Sequence, residues 1–302
     1  MRRAAPPATT GSLAAVTARG GVVCIGNFDG VHLGHRRVLA RMRELADAAG
    51  APAVVVTFFP PARVLFEGAT YLATPAEKLL ALEGFAPDTV ASLAFDRALA
   101  ATPKAAWLAE LAALRPRAVV VGEDFRFGHG REGGLADLRT ITPQLEAVPL
   151  FELDGAPVRS TTIRGLLVAG DVTGAARLLG APYLARGTVT SGQHRGRTIG
   201  YPTANLIVPH GKALPPGVFA VTVTVAGAVH SGMANVGARP TFAEAAPALE
   251  VHLFDFAADI YDVEVDVRFV TRLRDQRRFA GIDELKAQLA ADEVAARAAL
   301  AR

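Results

Sequence analysis

The chain has 302 residues, enough for two domains at roughly 100 to 200 residues each. Hydrophobic residues make up 51% of it and charged residues 20%, which excludes an intrinsically disordered protein, and a net charge of +3 is too small for a broad nucleic-acid-binding surface. The single cysteine, Cys24, excludes an internal disulfide and cysteine-based metal clusters, and it indicates a reducing, cytoplasmic location.

The first half of the chain alternates β-branched runs with helical patterns. A loose lead-in is expected over residues 4–21. Strands are predicted over residues 22–25, 53–57, 90–95 and 118–121, and helices over residues 38–49, 75–84 and 107–114. This alternation is typical of a parallel sheet covered by helices. Because such sheets bind ligands at the carboxyl ends of their strands, the turns after Ile25, Thr57 and Val121 are expected to line one crevice.

The second half changes pattern near residue 182, where strands begin to follow one another with no helix between them. These strands are predicted over residues 187–190, 218–225, 249–254 and 263–270. An amphipathic helix is predicted from about Asp283 to the end of the chain. The pattern therefore predicts two domains, residues 1–182 and 183–302, the second a small antiparallel β domain. No apolar run reaches the roughly 18 residues that span a bilayer.

The turn after the first strand reads GNFDGVHLGH over residues 26–35. A helix N-terminus offers free backbone N–H groups and a positive dipole end, and glycine lets an anion approach closely. His32 and His35, separated by Gly34, add side-chain donors. This pattern predicts a phosphate-binding site. A second helix start, at Ser160 and Thr161 with Arg164 one turn inside, combines hydroxyls and a guanidinium in the same way, although by itself it is also a plain helix cap.

Two further motifs lie in the second half. Residues 196–205 read GRTIGYPTAN, and in an extended segment Thr203 and Asn205 point to one side, where two oxygens could face Mg²⁺. In residues 249–253, LEVHL, Glu250 lies opposite the apolar side chains and is a candidate general base. The polar run over residues 191–197, with Arg195 and Arg197, has the composition of a flap over a triphosphate.

These motifs, in this order, resemble those of the bacterial bifunctional FAD synthetase (riboflavin kinase/FMN adenylyltransferase) family. Residues 26–35 and 160–164 resemble its two nucleotide motifs, residues 119–128 (VVVGEDFRFG) its DFRFG block, and residues 196–205 the PTAN signature of riboflavin kinases. The resemblance implies an α/β plus β fold: a Rossmann-like parallel-sheet nucleotidyltransferase domain, then a small split β-barrel kinase domain with a C-terminal helix.

The resemblance also implies roles. ATP would phosphorylate riboflavin to FMN and adenylylate FMN to FAD, with Glu250 as the base of the kinase and with His32 and His35 stabilising phosphate charge. Nucleotide contacts are expected from Asn27, Asp29, Gly34, Asp124, Ser160, Thr161, Arg164, Arg195 and Arg197. Flavin contacts are expected from Phe58, Phe125 and Phe127, and Mg²⁺ ligands from Thr203 and Asn205. The expected partners are these small molecules, without nucleic acid or membrane, and the oligomeric state is left open.

Two residues depart from the family pattern: Pro61 stands where a histidine is common, and Arg159 where a serine is common. They keep one alternative open, a riboflavin kinase whose N-terminal half only binds nucleotide. A second alternative, from another class, is a non-catalytic flavin-binding regulatory protein. Residues 128–133 match the dinucleotide pattern G-x-G-x-x-G, but they follow a late strand and open no helix directly after it, so a solvent-facing loop is predicted there.

Overall fold

A computed structural model describes residues 6–190, 199–237 and 248–301 of the chain. The chain divides into two compact units, residues 1–160 and residues 161–302. Within the described ranges, no helix is both long enough and apolar enough to cross a membrane.

The first unit is built on a six-stranded sheet in which every paired strand is parallel to its neighbour. Its strands in chain order are β1 (Ala8–Thr10), β2 (Val22–Ile25), β3 (Ala53–Phe59), β4 (Thr89–Ala94), β5 (Ala118–Gly122) and β6 (Leu145–Val148). Across the sheet the order is β1-β4-β3-β2-β5-β6. The chain runs outward from β2 in both directions, so the topological switch point lies between β2 and β5, where such sheets bind their ligands.

Helices and short turns connect these strands. They are α1 (Leu33–Ala49), α2 (Ala62–Glu67), α3 (Pro75–Glu83), α4 (Arg97–Ala100), α5 (Lys104–Ala112), a 3₁₀ turn (His129–Arg131) and α6 (Leu135–Leu138), followed by the hairpin of β7 (Glu152–Leu153) and β8 (Ala156–Pro157). Successive strand residues belong to different apolar clusters: Val23 and Ile25 lie in one, and Val22 and Cys24 in the other. Both faces of the sheet are therefore buried, which explains the continuous apolar runs in its strands.

The expectation of a loose lead-in over residues 4–21 is wrong for residues 6–21, the part that the structure describes. Ala8–Thr10 forms the edge strand β1, parallel to β4, and Leu13 and Val16 are only 2% and 1% exposed within the core. A strand of three residues is too short to show an alternating pattern. Its pairing with β4 and the burial of the following apolar residues decide its structure, and the local sequence does not.

The second unit contains a closed barrel in which every strand pair is antiparallel. The helices α7 (Ser160–Val168) and α8 (Val172–Leu179) precede it. Its strands are β9 (Tyr183–Thr190), β10 (Ala204–Ile207), β11 (Gly217–Val225), β12 (Ala228–Gly237), β13 (Ala248–Leu253) and β14 (Glu264–Arg274), in the order β10-β13-β12-β11-β14-β9. The predicted parallel sheet and antiparallel barrel are both confirmed, although β6, β10 and β12 are not among the predicted strands.

The C-terminal helix, Ile282–Leu300, packs on the outside of this barrel. Ala296 shares an apolar cluster with Met233 and Phe254. The guanidinium of Arg274 donates to both carboxylate oxygens of Asp292, at 2.7 to 3.0 Å, and Asp292 is 3% exposed. The ion pair and the cluster together hold the helix against the barrel wall, as the predicted apolar side of this helix requires.

Candidate functional site

The turn between β2 and α1 has an unusual backbone. Phe28 and Val31 adopt left-handed conformations, with φ of 46° and 43°, and Gly30 has a φ of 82°. Non-glycine residues in this region carry strain that the surrounding structure must offset, and such strain clusters at functional sites. Gly26 makes room for this turn, because a Cβ atom there would lie 2.7 Å from the buried ring of Phe28.

His32 and His35 form a stacked pair at the start of α1. His32 is the N-cap residue, and its Nδ1 accepts a hydrogen bond of 3.3 Å from the backbone N–H of His35. The two rings stack with centroids 3.6 Å apart and planes 18° apart. Gly34 is needed at this point, since a Cβ atom there would approach the His32 ring to 3.2 Å. The predicted His-x-Gly-His pattern thus builds one compact group.

Both histidines are neutral at pH 7. The pKa of His32 is lowered from 6.5 to about 4, mainly by burial and in smaller part by the positive charge of Arg159, against an opposing backbone hydrogen bond. Burial also holds the pKa of His35 well below its usual value, helped by His32 and Lys78. Because Nδ1 of neutral His32 accepts a hydrogen bond, its proton resides on Nε2. His32 therefore presents an Nε2–H donor without carrying a net charge.

Asp29 and Ser160 brace the same turn. Asp29 is 2% exposed, and its Oδ1 accepts hydrogen bonds from the backbone N–H groups of Leu72, at 2.8 Å, and Ala73, at 3.1 Å. The hydroxyl of Ser160 donates to the backbone carbonyl of Asp29 at 3.0 Å. The structure thus brings the start of the second predicted nucleotide motif to the first one, 131 residues away.

Asn27 connects this turn to a residue that sequence reasoning missed, Lys78 on α3. Lys78 is 2% exposed, and its Nζ donates to the carbonyl of Asn27 at 2.8 Å, to the carbonyl of Phe58 at 2.7 Å and to the hydroxyl of Thr57 at 3.2 Å. Burial lowers its pKa to about 8, and Asp29 partly opposes that shift. The signal in the sequence is its position four residues before the core residue Leu82, which puts a lysine on the buried side of a helix.

The end of β5 carries Asp124, which pairs with Arg159. Their side chains are about half exposed, and Nη1 of Arg159 lies 3.3 Å from Oδ2 of Asp124. The departure at Arg159 thus places a cation beside a predicted nucleotide contact, close enough to His32 to lower its pKa. Pro61, the other departure, is buried and precedes α2 as its N-cap, where it offers neither a side-chain donor nor an N–H group.

Aromatic side chains follow the ends of β3 and β5. Phe58 is partly buried, with its ring centroid 5.8 Å from that of Trp107. Phe125 is partly buried and lies over Phe127, with centroids 5.9 Å apart, whereas Phe127 itself is only 7% exposed and belongs to the core. Phe58 and Phe125 therefore present the more accessible faces. Residues 128–133 form a loop that contains the 3₁₀ turn His129–Arg131. A bridge between Phe127 and Gly133 closes this loop, which opens no helix.

Four further residues were predicted for nucleotide binding. Thr161 is exposed and Arg164 partly buried on α7, and both belong to the second unit. Arg195 and Arg197 lie outside the described residues.

The barrel register builds a second polar group. Asn205 on β10 lies directly opposite Glu250 on β13, and Glu250 lies directly opposite Asn235 on β12. Opposed residues of antiparallel strands place their side chains on one face of the sheet. All three are partly buried and alternate with buried residues, which are Leu206, Leu249, Val251, Ala234 and Val236. The Nε2 of Gln276 donates to Oδ1 of Asn235 at 2.9 Å and extends the row.

His252 links this row to the segment before β10. Its Nδ1 lies 2.7 Å from the carbonyl oxygen of Pro202, so Nδ1 carries the proton and donates it. The ring also contacts Tyr201 at its edge, with centroids 5.2 Å apart. Thr203, the next residue after Pro202, is exposed. The histidine thus ties the segment that carries Thr203 to the strand that carries Glu250.

Hard oxygen donors dominate this second group. Thr203 offers a hydroxyl, Asn205 an amide oxygen and Glu250 a carboxylate, a donor set that suits Mg²⁺ when phosphate oxygens and water complete its coordination. Across the described ranges there is no cluster of three or more His, Cys, Asp or Glu side chains able to hold a metal ion.

Comparisons with known proteins cover nearly the whole chain. Residues 15–162 match the family model for FAD synthetase, and residues 179–300 match the one for riboflavin kinase. The chain is 41% identical over 292 residues to a bifunctional riboflavin kinase/FMN adenylyltransferase of Pseudomonas fluorescens, with 93% of each protein covered. It is 39% identical over 290 residues to the protein of that name from Escherichia coli K12, with 92% of each covered. A crystal structure described as a macrolide-efflux protein from Streptococcus pneumoniae aligns with a TM-score of 0.87 and 32% identity, over 97% of this chain and 99% of that one.

Proposed function

The chain belongs to the bifunctional riboflavin kinase/FMN adenylyltransferase family, and on that premise we propose which residues carry its two reactions. It phosphorylates riboflavin to FMN with ATP, and it adenylylates FMN to FAD with a second ATP. We assign adenylyl transfer to a domain over residues 1–182 and the kinase to residues 183–302. The partners are these small molecules. We place the enzyme in the cytoplasm, in keeping with its single cysteine.

Adenylyl transfer takes place at the turn after β2. An oxygen of the FMN phosphate attacks the α-phosphorus of ATP, the bond from that phosphorus to the β-phosphate oxygen breaks, and pyrophosphate leaves. Catalysis of this step depends on positioning and on stabilising negative charge. The N-terminus of α1 and the Nε2–H of His32 supply donors to the phosphates, with His35 stacked behind. Further nucleotide contacts come from Asn27, Gly34, Asp124, Ser160, Thr161 and Arg164. Asp29, which was predicted as a contact, instead holds the turn through its hydrogen bonds to the backbone of Leu72 and Ala73.

The flavin binds next to the carboxyl ends of β3 and β5. Phe58 and Phe125 offer ring faces for the isoalloxazine, and Phe127 supports Phe125 from the core. Pro61 lacks the donor that a histidine would supply. Arg159 compensates in part with positive charge, since its guanidinium lies beside Asp124 and lowers the pKa of His32.

The kinase reaction takes place on the row of Asn205, Glu250 and Asn235. Glu250 accepts the proton of the ribityl 5′-hydroxyl as that oxygen attacks the γ-phosphorus of ATP, and ADP leaves. Thr203 and Asn205 would hold Mg²⁺, which would neutralise charge on the phosphates. His252 keeps Thr203 next to this row through its hydrogen bond to Pro202. Arg195 and Arg197 contact the ATP phosphates.

The stacked, neutral pair of His32 and His35 at the switch point of the sheet is the observation that supports adenylyl transfer most strongly. The test is to incubate the purified chain with ATP, Mg²⁺ and either riboflavin or FMN and to separate the flavins by chromatography. We expect FAD from both. If riboflavin stops at FMN and added FMN stays unchanged, the adenylyl-transfer assignment is wrong and a riboflavin kinase alone remains.

A further inference from the structure

Lys78 is a buried charged residue close to the crevice of the first unit. Its side chain comes from α3 and is 2% exposed, yet it ends among backbone and hydroxyl oxygens. An ammonium group has three N–H donors and no acceptor. All three donors are used, because Nζ lies within hydrogen-bond distance of the carbonyls of Asn27 and Phe58 and of the Thr57 hydroxyl.

The three acceptors come from two neighbouring strands. Asn27 belongs to the turn that leaves β2, and Thr57 and Phe58 belong to the last part of β3. Thr57 also donates its hydroxyl proton to the carbonyl of Asn27 at 3.0 Å, which closes the network. β2 and β3 are paired in parallel, so both carboxyl ends reach the same edge of the sheet. Lys78 therefore links the turn after β2, which carries the proposed nucleotide contact Asn27, to the end of β3, which carries the proposed flavin contact Phe58.

Burying an ammonium group carries a free-energy cost that an apolar side chain at the same position would avoid. Desolvation of a charge is offset only by well-placed partners, and apolar residues of similar volume are often as stable. The arrangement is therefore better explained by what the lysine positions than by its contribution to the core. Its charge also reaches the histidine pair, since Lys78 is one of the groups that keep His35 neutral.

We propose that Lys78 is a positioning residue for adenylyl transfer: its ammonium holds the turn that carries Asn27 against the end of β3 that carries Phe58, so that phosphate and flavin meet in reactive alignment. This inference rests on the adenylyl transfer proposed above. Lys78 touches neither substrate, and it acts through the backbone of the residues that do. A displacement of about 1 Å between reacting groups is enough to slow a reaction about 10²-fold.

The test compares Lys78→Met with Lys78→Arg in the full chain. Methionine keeps much of the side-chain volume and removes the charge and the donors. We expect kcat for FAD formation from FMN to fall about 10²-fold, with the KM values for ATP and FMN changed by less than about 3-fold. Arginine keeps a charged donor and should recover part of kcat. Riboflavin phosphorylation by the same polypeptide should stay at the wild-type rate, which shows that the second unit is intact. Urea unfolding of the variant measures separately whether the first unit is folded.

Lys104→Met is the matched control, since Lys104 lies in the same unit, pairs with Asp137 at 3.0 Å and is 41% exposed. It should form FAD at the wild-type rate. If Lys78→Met does so too, the proposal is overturned. Should Lys78→Met fail to fold, Lys78→Gln decides, because glutamine removes the charge of Lys78 but keeps a polar side chain with N–H donors. A drop in the kcat of Lys78→Gln of about 5-fold or more supports the role of Lys78, and an unchanged kcat overturns it.

A parallel assay of the wild-type chain distinguishes failure of the proposed function from failure of the proposed role of Lys78. Absence of FAD from the wild type contradicts the proposed function, whereas full activity of Lys78→Met beside an active wild type contradicts only the role of Lys78.

Discussion

The imidazole rings of His32 and His35 lie in parallel contact, with centroids 3.6 Å apart and planes 18° apart. Two imidazolium ions at this distance would repel each other strongly, so the stack requires that at most one ring be charged. Burial keeps both rings neutral at pH 7. The site therefore meets phosphate with oriented N–H donors and a helix N-terminus, and the fixed positive charges come from Arg159 and Lys78 nearby.

Replacing His32 with alanine should separate the two activities. The change removes the Nε2–H donor, and we expect FAD formation from FMN to fall by about 10²- to 10³-fold, as for other charge-stabilising donors. Riboflavin phosphorylation should be unaffected, because it takes place in the other domain. Both rates can be followed by chromatography of the flavins. His129→Ala, at an exposed histidine in the 3₁₀ turn, is the control and should retain both activities. Loss of both activities in a folded His32→Ala chain would contradict the separation.

Glu250→Gln should produce the opposite result. Glutamine keeps the shape of the side chain but cannot accept the ribityl proton, so we expect FMN formation to fall by about 10²- to 10⁴-fold. FAD formation from added FMN should continue at the wild-type rate. Glu264→Gln changes a more exposed glutamate in the same barrel, 3.6 Å from Arg186, and should leave both rates unchanged. A Glu250→Gln chain that still phosphorylates riboflavin at full speed would remove Glu250 from the role of base.

The lowered pKa of His32 predicts acid sensitivity of the first unit. Its pKa is about 4 in the folded chain and about 6.5 when unfolded, so between these values the unfolded chain binds more protons. The contribution to stability is complete above pH 6.5 and is lost as the pH falls towards 4, by about 3 kcal/mol in total. Urea unfolding at pH 7.5, 6.0 and 5.0 measures this slope. His32→Gln has no titrating group there and should show a shallower decline, and an equal slope would count against the assignment.

Asp29 should matter for stability as well as for activity. Alanine at this position leaves the backbone N–H groups of Leu72 and Ala73 without their buried acceptor, and we expect a loss of about 3 kcal/mol in the free energy of unfolding. Asp124→Ala is the matched control. Its half-exposed ion pair with Arg159 is worth less than about 1 kcal/mol. Chemical denaturation of both variants makes the comparison, and equal losses would show that Asp29 does not brace the turn.

Local patterns in the sequence were enough to identify several of the strands and helices and the motifs of the two proposed sites. The β-branched runs predict strands now found as β2, β3 and β5, and the turn between β2 and α1 carries the His-x-Gly-His group where it was expected. These features depend on residues within one or two turns of each other, and short-range sterics, helix capping and apolar periodicity act over that distance.

Other features depend on contacts between residues far apart in the chain, and only the tertiary structure decided them. β1 exists because β4 pairs with it. In the sequence, Lys78 has the pattern of an ordinary helix residue. In the structure, its Nζ bonds to Phe58 and Asn27, which are 20 and 51 residues away in the chain. Asn235 joins Asn205 and Glu250 only through the barrel register, since a shift of one residue would turn its side chain to the other face. The sequence determines the chemistry of each side chain. Packing and strand pairing determine which side chains become its neighbours, and no local pattern predicts these long-range contacts.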